Sequence, residues 1–487
     1  MNVLMVSAEA APFAKVGGLA DVVGSLPAAL RQEGVEARVV MPGYGMIAHE
    51  KYDITPLFSY EFSHRQGTST VRAYTCERDG VRFYFLQGFP YVGEEASVYT
   101  TWEWDAPRFI WFNQAVMAFI WQLHDRTGWR PNVVNVHDWH TALLPFLIAD
   151  ARWMREWQGI GTVLTIHNIA YQGSHVSQYT FEAGINPRYH PQVQYHGLGD
   201  NLLGIGVGYA DMVNTVSPRY AEEIQYPYAG YELAGIIRDR KDDLMGILNG
   251  LDMDLWNPQT DKLIAHRYDV TTAPEVRKLN KRHLQASLQL PVRDDVPLLG
   301  MVTRLASQKG FDLAIPALRR LMVDTDVQFV VLGTGEPELE WEVRKLASDF
   351  GWRARAVLSY NATVAQQIYA SCDMFLMPSH FEPCGMGQMI AMRYGALPVV
   401  RETGGLADTV VNYDNGAGDV GTGFVFQWET SDALLGTLRW AIETYRHRPQ
   451  AWRKMQERAM QTDFSWHKSA QAYVHLYERA LQKHNPS

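Results

Sequence analysis

Lys15-Val16-Gly17-Gly18-Leu19-Ala20-Asp21 follows the apolar run Asn2-Val3-Leu4-Met5-Val6 and opens a helical pattern, Leu19–Gln32. A short aliphatic run, a glycine turn and then a helix make the first part of a βαβ unit. Continuous rather than alternating hydrophobicity marks a strand buried on both faces of a parallel sheet. Paired glycines at Gly17 and Gly18 let a backbone approach a ligand closely, and a helix N-terminus favours an anion. Lys15 adds a mobile positive charge and Asp21 an acceptor for sugar hydroxyls. The stretch has neither G-x-G-x-x-G spacing nor a Walker A pattern. By itself it reads equally well as a tight turn carrying a solvated lysine.

The same rhythm runs outward along the chain. Strand-like runs follow at Ala37–Met41, Val81–Leu86, Val133–Val136, Thr162–Ile166, Met212–Val216 and Gly246–Leu248, with a helical stretch at Thr141–Trp157. The rest of Lys51–Ala106 resists assignment. From Pro297 the alternation restarts, with strands at Pro297–Thr303, Gln328–Leu332, Ala354–Leu358, Met374–Met377 and Leu397–Val400. Polar Asp254–Asp295, with its basic run Arg277–His283, reads as the connection. Two runs of βα alternation imply two doubly wound α/β domains, expected at residues 1–250 and 251–465, with a ligand held in a cleft between them.

Composition narrows the class. With 44 Lys+Arg against 53 Asp+Glu, the net charge is −9, which argues against a nucleic-acid partner. Three scattered cysteines, Cys76, Cys372 and Cys384, make no disulfide framework and point to a reducing compartment. The N-terminus lacks the features of a signal peptide. The longest uncharged apolar stretch, Phe109–Leu123, is too short to span a bilayer of ~30 Å and reads as a buried helix. A cytoplasmic enzyme without a membrane or nucleic-acid partner is expected.

Further candidate groups sit after strands, where open α/β sheets place ligand contacts. His137-Asp138-Trp139-His140 and Thr165-Ile166-His167-Asn168 are two such places. No third ligand stands at a recognisable spacing from His137 and His140, so no metal is expected. Asp138, His140 and His167 read as lining a polar cleft, with a structural hydrogen-bonding role open for each histidine. In the second half, Arg304 and Lys309 of Thr303–Gly310 can clamp a phosphate, one as a planar fork and the other as a point charge, or stand as surface cations. Phe381-Glu382-Pro383-Cys384-Gly385-Met386-Gly387 sets a carboxylate beside a glycine-rich helix start, where amides can face a phosphate. Cys384 has no partnered base and reads as a buried thiol. Thr403-Gly404-Gly405-Leu406-Ala407-Asp408 repeats the design of residues 15–21.

Together these segments, with Val216–Ile224, Leu248–Pro258, Met392–Gly395 and Arg401–Val410, closely resemble the bacterial glycogen synthase and plant starch synthase family. The resemblance covers nearly the whole chain. It implies the GT-B fold, two Rossmann-like domains with a last helix, here Trp466–Lys483, returning to the first. It also implies a glycosyltransferase that moves glucose from ADP-glucose to the non-reducing end of an α-1,4-glucan with retention, ADP-glucose being a substrate and no cofactor being needed. Carried over by position, Lys15 and Gly18 belong to the nucleotide-sugar loop. Asp21, His167 and Asn249 face the glucosyl unit or catalytic pocket. Arg304 and Lys309 take the diphosphate. Glu382 is the cleft carboxylate, with the amides of Cys384, Gly385, Met386 and Gly387 near sugar and phosphate. Tyr360 lies against the adenine.

Two departures stand out. Gly387 replaces a larger residue often found after Glu-Pro-Cys-Gly, and Trp-rich Val98–Phe109 lacks an Asp-Asn pair before Arg108-Phe109. Trp102 and Trp104 there can stack on sugar rings or pack within the domain. Retaining glycosidases use two carboxylates about 5–5.5 Å apart. Only Glu382 stands out on its side, so same-face attack is expected, with the departing diphosphate taking the acceptor's proton. The alternatives are another retaining GT-B glucosyltransferase with a different donor or acceptor, a GT-B-fold nucleotide-sugar epimerase, and a non-catalytic glucan-binding protein.

Overall fold

In β1 (Asn2–Val6), Val3 and Met5 enter the core on one face while Leu4 and Val6 enter it on the other, all fully buried. This two-sided burial is what the continuous apolar run requires. The computed structural model describes residues 1–186 and 190–484. It separates into two units, Met1–Gly250 with Trp466–Ser487, and Leu251–Ser465.

The first unit adds β2 (Glu36–Pro42), β3 (Thr55–His64), β4 (Gly67–Arg78), β5 (Val81–Gln87), β6 (Val133–His137), β7 (Gly161–Ile166), β8 (Met212–Thr215) and β9 (Leu244–Gly246). They form one sheet in the order β3-β4-β5-β2-β1-β6-β7-β8-β9. Pairing is parallel from β5 through β9, and antiparallel along β3-β4-β5. The returning helix Trp466–Gln482 lies on the face that holds Val3 and Met5, burying Ala470, Tyr473, Leu476 and Tyr477. The Tyr477 hydroxyl donates to Asn135 Oδ1 at 2.9 Å, and Asn214 donates to the Tyr473 hydroxyl at 3.2 Å. Polar groups inside the sheet are thereby satisfied.

The second unit carries β10 (Leu298–Val302), β11 (Gln328–Leu332), β12 (Ala354–Val357), β13 (Met374–Met377), β14 (Leu397–Arg401) and β15 (Phe424–Phe426). Its sheet runs β12-β11-β10-β13-β14-β15 and is wholly parallel. Both sheets are doubly wound, as expected from the sequence. Their order reverses beside β1, between β1 and β6, and beside β10, between β10 and β13.

Three readings are corrected. Part of the unassigned stretch 51–106 forms β3 and β4, an edge hairpin whose outer strand buries little besides Tyr60. The helix expected at Thr141–Trp157 is broken into Asp138–Thr141, Leu144–Ala151 and a 3₁₀ turn at Arg155–Trp157. Pro145 starts the middle piece, because its ring cannot continue a preceding helix. The supposed connection 254–295 holds helix Ala273–Ser287, in which Arg277 and Lys281 are buried. Arg277 binds the carbonyls of Tyr369, Cys372 and Tyr394. Lys281 pairs with Asp373 at 2.7 Å and donates to Val296 O at 2.6 Å.

Removing one partner of a buried ion pair leaves the other uncompensated. Lys281→Ala is expected to destabilise the second unit by about 3–5 kcal/mol, read in chemical denaturation. Lys278→Ala, which loses only the exposed pair with Glu275, should cost less than about 1 kcal/mol.

Candidate active site

In the first unit the reversal beside β1 brings two loop groups to the C-terminal strand ends. After β1, Lys15 Nζ lies 2.6 Å from Asp21 Oδ1, so two residues expected in separate roles form a pair, half-exposed on the lysine side. Glu9, for which the sequence offers no signal, is 3% exposed and organises the turn. Its Oε2 accepts from the amides of Val16 at 2.6 Å and Gly17 at 3.0 Å, and its Oε1 accepts from the Tyr99 hydroxyl. The Gly17 amide is therefore already engaged by the protein. No side chain caps the helix Gly18–Gln32 that follows, and a Cβ added at Gly17 or Gly18 would meet nothing within 4 Å. Internal packing does not demand glycine there.

After β6, Asp138 adopts φ 54°, a left-handed conformation that aspartate tolerates better than most residues. Its Oδ1 accepts from the His167 amide at 2.7 Å and the Asn168 amide at 3.4 Å, tying the ends of β6 and β7 together. Burial pushes its carboxyl up to about 7, against the pull of those two amides. His137 Nδ1 and His167 Nε2 lie 2.9 Å apart, one donating to the other. Burial drives His140 and His167 down to about 3 and His137 well below its ordinary value. These imidazoles are neutral near pH 7, and they act there as polar donors and acceptors. Asn249, after β9, is buried with an Oδ1 that has no hydrogen-bond partner among the described residues.

A cavity of about 400 Å³ opens nearby in the same unit, lined by Trp102, Trp139, Tyr171, Gln172, Tyr231 and Glu232 among others. Tyr231 sits at φ 50°, strain of the kind found at binding sites. Both tryptophans of the Trp-rich stretch also pack within the unit, Trp102 on Trp139 with ring centroids 5.4 Å apart and Trp104 on Tyr91 at 5.9 Å.

In the second unit the reversal sets the loop after β10 beside the loop after β13. Lys309 Nζ donates to both Glu382 oxygens, at 3.0 and 2.8 Å, and Ser379 Oγ donates to Glu382 Oε2 at 2.9 Å. Glu382 is 5% exposed, so this pairing supports a charge taken out of water. The turn that delivers Lys309 ends on Gly310 at φ 70°, where a Cβ would stand 2.0 Å from Pro378 O. Arg304 is exposed and forms no ion pair among the described residues. Cys384 is buried, Gly385 takes φ 71°, and helix Gly387–Arg393 starts just beyond, its Gln388 side chain donating to the carbonyls of Cys384 and Gly385 at 3.0 Å.

Gly404 and Gly405 differ from their counterparts at 17 and 18. A Cβ at Gly404 would stand 2.0 Å from Glu382 O, and one at Gly405 2.0 Å from Cys384 O. Here packing against the Glu382 loop demands glycine. Thr403, buried before them, donates its amide to Arg401 O at 2.9 Å. Tyr360, in the loop after β12, is 91% exposed. Among the described residues no group of three or more His, Cys, Asp or Glu is placed to hold a metal, and no helix is long and apolar enough to cross a membrane.

Comparison with known proteins gives the family. Residues 2–239 match the starch synthase catalytic domain family, and residues 286–459 match glycosyl transferases group 1. The chain is 41% identical over 486 residues to the glycogen synthase of Streptococcus sanguinis, covering 99% of this chain and 100% of that one. It is 40% identical to the glycogen synthase of Lactiplantibacillus plantarum, covering 99% and 100%. The catalytic domain of starch synthase IV from Arabidopsis thaliana, solved with ADP and acarbose, superposes with a TM-score of 0.89 at 31% identity, covering 99% of each chain. A sucrose-phosphate synthase from Thermosynechococcus elongatus shares the fold, with a TM-score of 0.59 at 17% identity over 100% of each chain. With two doubly wound sheets, a returning C-terminal helix and full-length relatives of this kind, the chain belongs to the glycogen and starch synthase family of GT-B glycosyltransferases.

Proposed function

We propose that this enzyme transfers glucose from ADP-glucose to the non-reducing end of an α-1,4-glucan, with retention at the anomeric carbon. The observation that carries the reading is the Lys309–Glu382 pair at the strand-order reversal of the second unit, with exposed Arg304 in the same loop as Lys309. Diphosphate departs when its new charge is met, and Arg304, Lys309 and the amides of Cys384–Gly387 are assigned to it. Tyr360, largely exposed, is assigned to the adenine. Lys15, Gly17 and Gly18 are assigned to the nucleotide-sugar loop and Asp21 to the glucosyl unit or catalytic pocket, and the open space at both glycines lets a ligand come close there. His167, His140, Asp138 and Asn249 are assigned to the glucosyl unit. The unpartnered Asn249 Oδ1 is suited to accept from a sugar hydroxyl.

Both Glu382 oxygens already accept hydrogen bonds, which favours an orienting role over nucleophilic attack. The acceptor hydroxyl then attacks from the face the diphosphate leaves. Its proton passes to that departing group, which balances the transfer without a second carboxylate. The aromatic cavity of the first unit is assigned to the glucan, since Trp102, Tyr171 and Tyr231 line it with rings that are not fully buried and exposed Glu232 offers hydrogen bonds. The three cysteines are buried and unbridged, with burial raising Cys76 to about 11 and Cys372 to about 12. Such inert thiols suit a reducing compartment, and the cytoplasm is the proposed place of action.

Incubation with labelled ADP-glucose or UDP-glucose, with and without glycogen, tests the reading directly. Label from ADP-glucose should enter glycogen. Conversion of the donor without an acceptor would instead identify an epimerase. Arg304→Ala and Lys309→Ala should each lower kcat on the order of 10²–10³, as for loss of a preorganised electrostatic contact. Glu382→Ala should lose more turnover than nucleotide affinity, and near-native turnover in all three folded variants would remove the clamp. Trp102→Ala should raise the KM for glycogen by about 3–10-fold while leaving that for ADP-glucose unchanged, the effect of one lost ring stack.

A further inference from the structure

His380 stands two residues before Glu382, and its ring is gripped from both sides. Nε2 lies 2.7 Å from Asp312 Oδ1, in the first turn of helix Phe311–Asp324, and Nδ1 lies 2.5 Å from Glu429 Oε1. An ionised carboxylate only accepts, so both ring nitrogens must donate, which requires the imidazolium. The backbone around it is held as firmly. The His380 amide donates to Gln308 O at 2.9 Å, and the Gln308 side chain donates to Phe381 O at 3.0 Å. The Arg401 guanidinium donates to Ser379 O at 2.8 Å and to His380 O, and lies 3.5 Å from Glu429. Three segments meet at this ring: the loop that carries Glu382, the helix that begins just after Lys309, and the Glu429 stretch beyond β15.

We propose that the His380 imidazolium is a positioning residue for the Glu382–Lys309 pair, and that losing its proton loosens the Glu382 loop and lowers turnover. The proposal rests on the reading of Glu382 and Lys309 as transfer groups. The charged groups around the ring are Asp312 and Glu429 in direct contact, Arg401 beside Glu429, and the mutually paired Lys309 and Glu382. Deprotonation turns one ring nitrogen into a lone pair facing a carboxylate, so one of the two grips is released.

Partial burial pulls the His380 pKa down, but the bonds to Asp312 and Glu429 outweigh it and raise the group above its ordinary 6.5. The folded form then binds the proton more tightly than the unfolded chain does. The stabilisation is complete below the unfolded value and is lost as pH rises through the raised one. The effect therefore falls on the alkaline side.

The test follows initial rates of glucose transfer from ADP-glucose to glycogen by the full chain across a range of pH extending well to the alkaline side of neutrality. The wild-type kcat should fall along an alkaline limb while the KM for ADP-glucose stays nearly constant. His380→Arg keeps a permanent charge that can reach both carboxylates, and it should abolish that limb. Glu429→Gln and Asp312→Asn should each move the limb to lower pH. His380→Gln should lower kcat near neutral pH on the order of 10-fold, the scale expected for a slightly misplaced catalytic group. If His380→Arg does not fold, the shifts in Glu429→Gln and Asp312→Asn decide. A limb at the same pH in every folded variant, or its absence from the wild-type chain, overturns the proposal. Failure of the wild-type chain to transfer glucose at any pH rejects the glucosyltransferase reading, and the positioning role falls with it.

Discussion

A carboxylate withdrawn from water needs a cation, and Glu382 finds its cation 73 residues away in sequence. That pairing depends on β10 and β13 lying side by side and parallel, so that the loops leaving them meet. Much of the second unit's local geometry follows from keeping the meeting intact. Gly310 turns left-handed under Pro378, Gly404 and Gly405 press against the Glu382 loop, and Ser379 adds a hydroxyl donor. A bulkier residue at any of the three glycines would push the Glu382 loop away from its cation.

The two Gly-Gly turns illustrate how one motif can have two causes. At 404 and 405 the glycines are dictated from within, because neighbouring backbone leaves no room for a Cβ. At 17 and 18 the space is open, and Glu9 supports the turn through the Val16 and Gly17 amides. Open space at a glycine leaves its backbone reachable from outside. The likeness of Lys15–Asp21 to Thr403–Asp408, read in sequence as one design used twice, thus divides into an open turn and a packing turn.

The parallel strands were legible because their neighbours bury both faces and force continuous apolar runs, as in Val133–Val136 and Gln328–Leu332. The edge strand β3 was not, since it buries few side chains and has no need of such a run. Helix Ala273–Ser287 was hidden by its charges. Arg277 and Lys281 look like solvent-facing residues until the carbonyls and the Asp373 carboxylate that receive them are known. The site divides in the same way. Arg304, Lys309 and Glu382 could be found as charged residues just past strands. Glu9, Ser379 and His380 could not, because the work of each is defined by a partner that only folding supplies.

Two clusters of titratable groups are treated in opposite ways, and the chemistry of the proposed reaction explains why. Where β6 and β7 end in the first unit, burial dominates: the histidines are held neutral and Asp138 is raised to about 7. Neutral donors and acceptors suit hydroxyl-rich ligands, which carry no charge and need directional hydrogen bonds. In the second unit pairing dominates, so Lys309 with Glu382 and His380 with Asp312 and Glu429 stand as charges against charges. A reaction that creates negative charge on a leaving group gains most where fixed cations already stand, because no reorganisation is then required as the charge develops. Arg304 is exposed and has no ion-pair partner among the described residues, which leaves its charge available to an incoming anion.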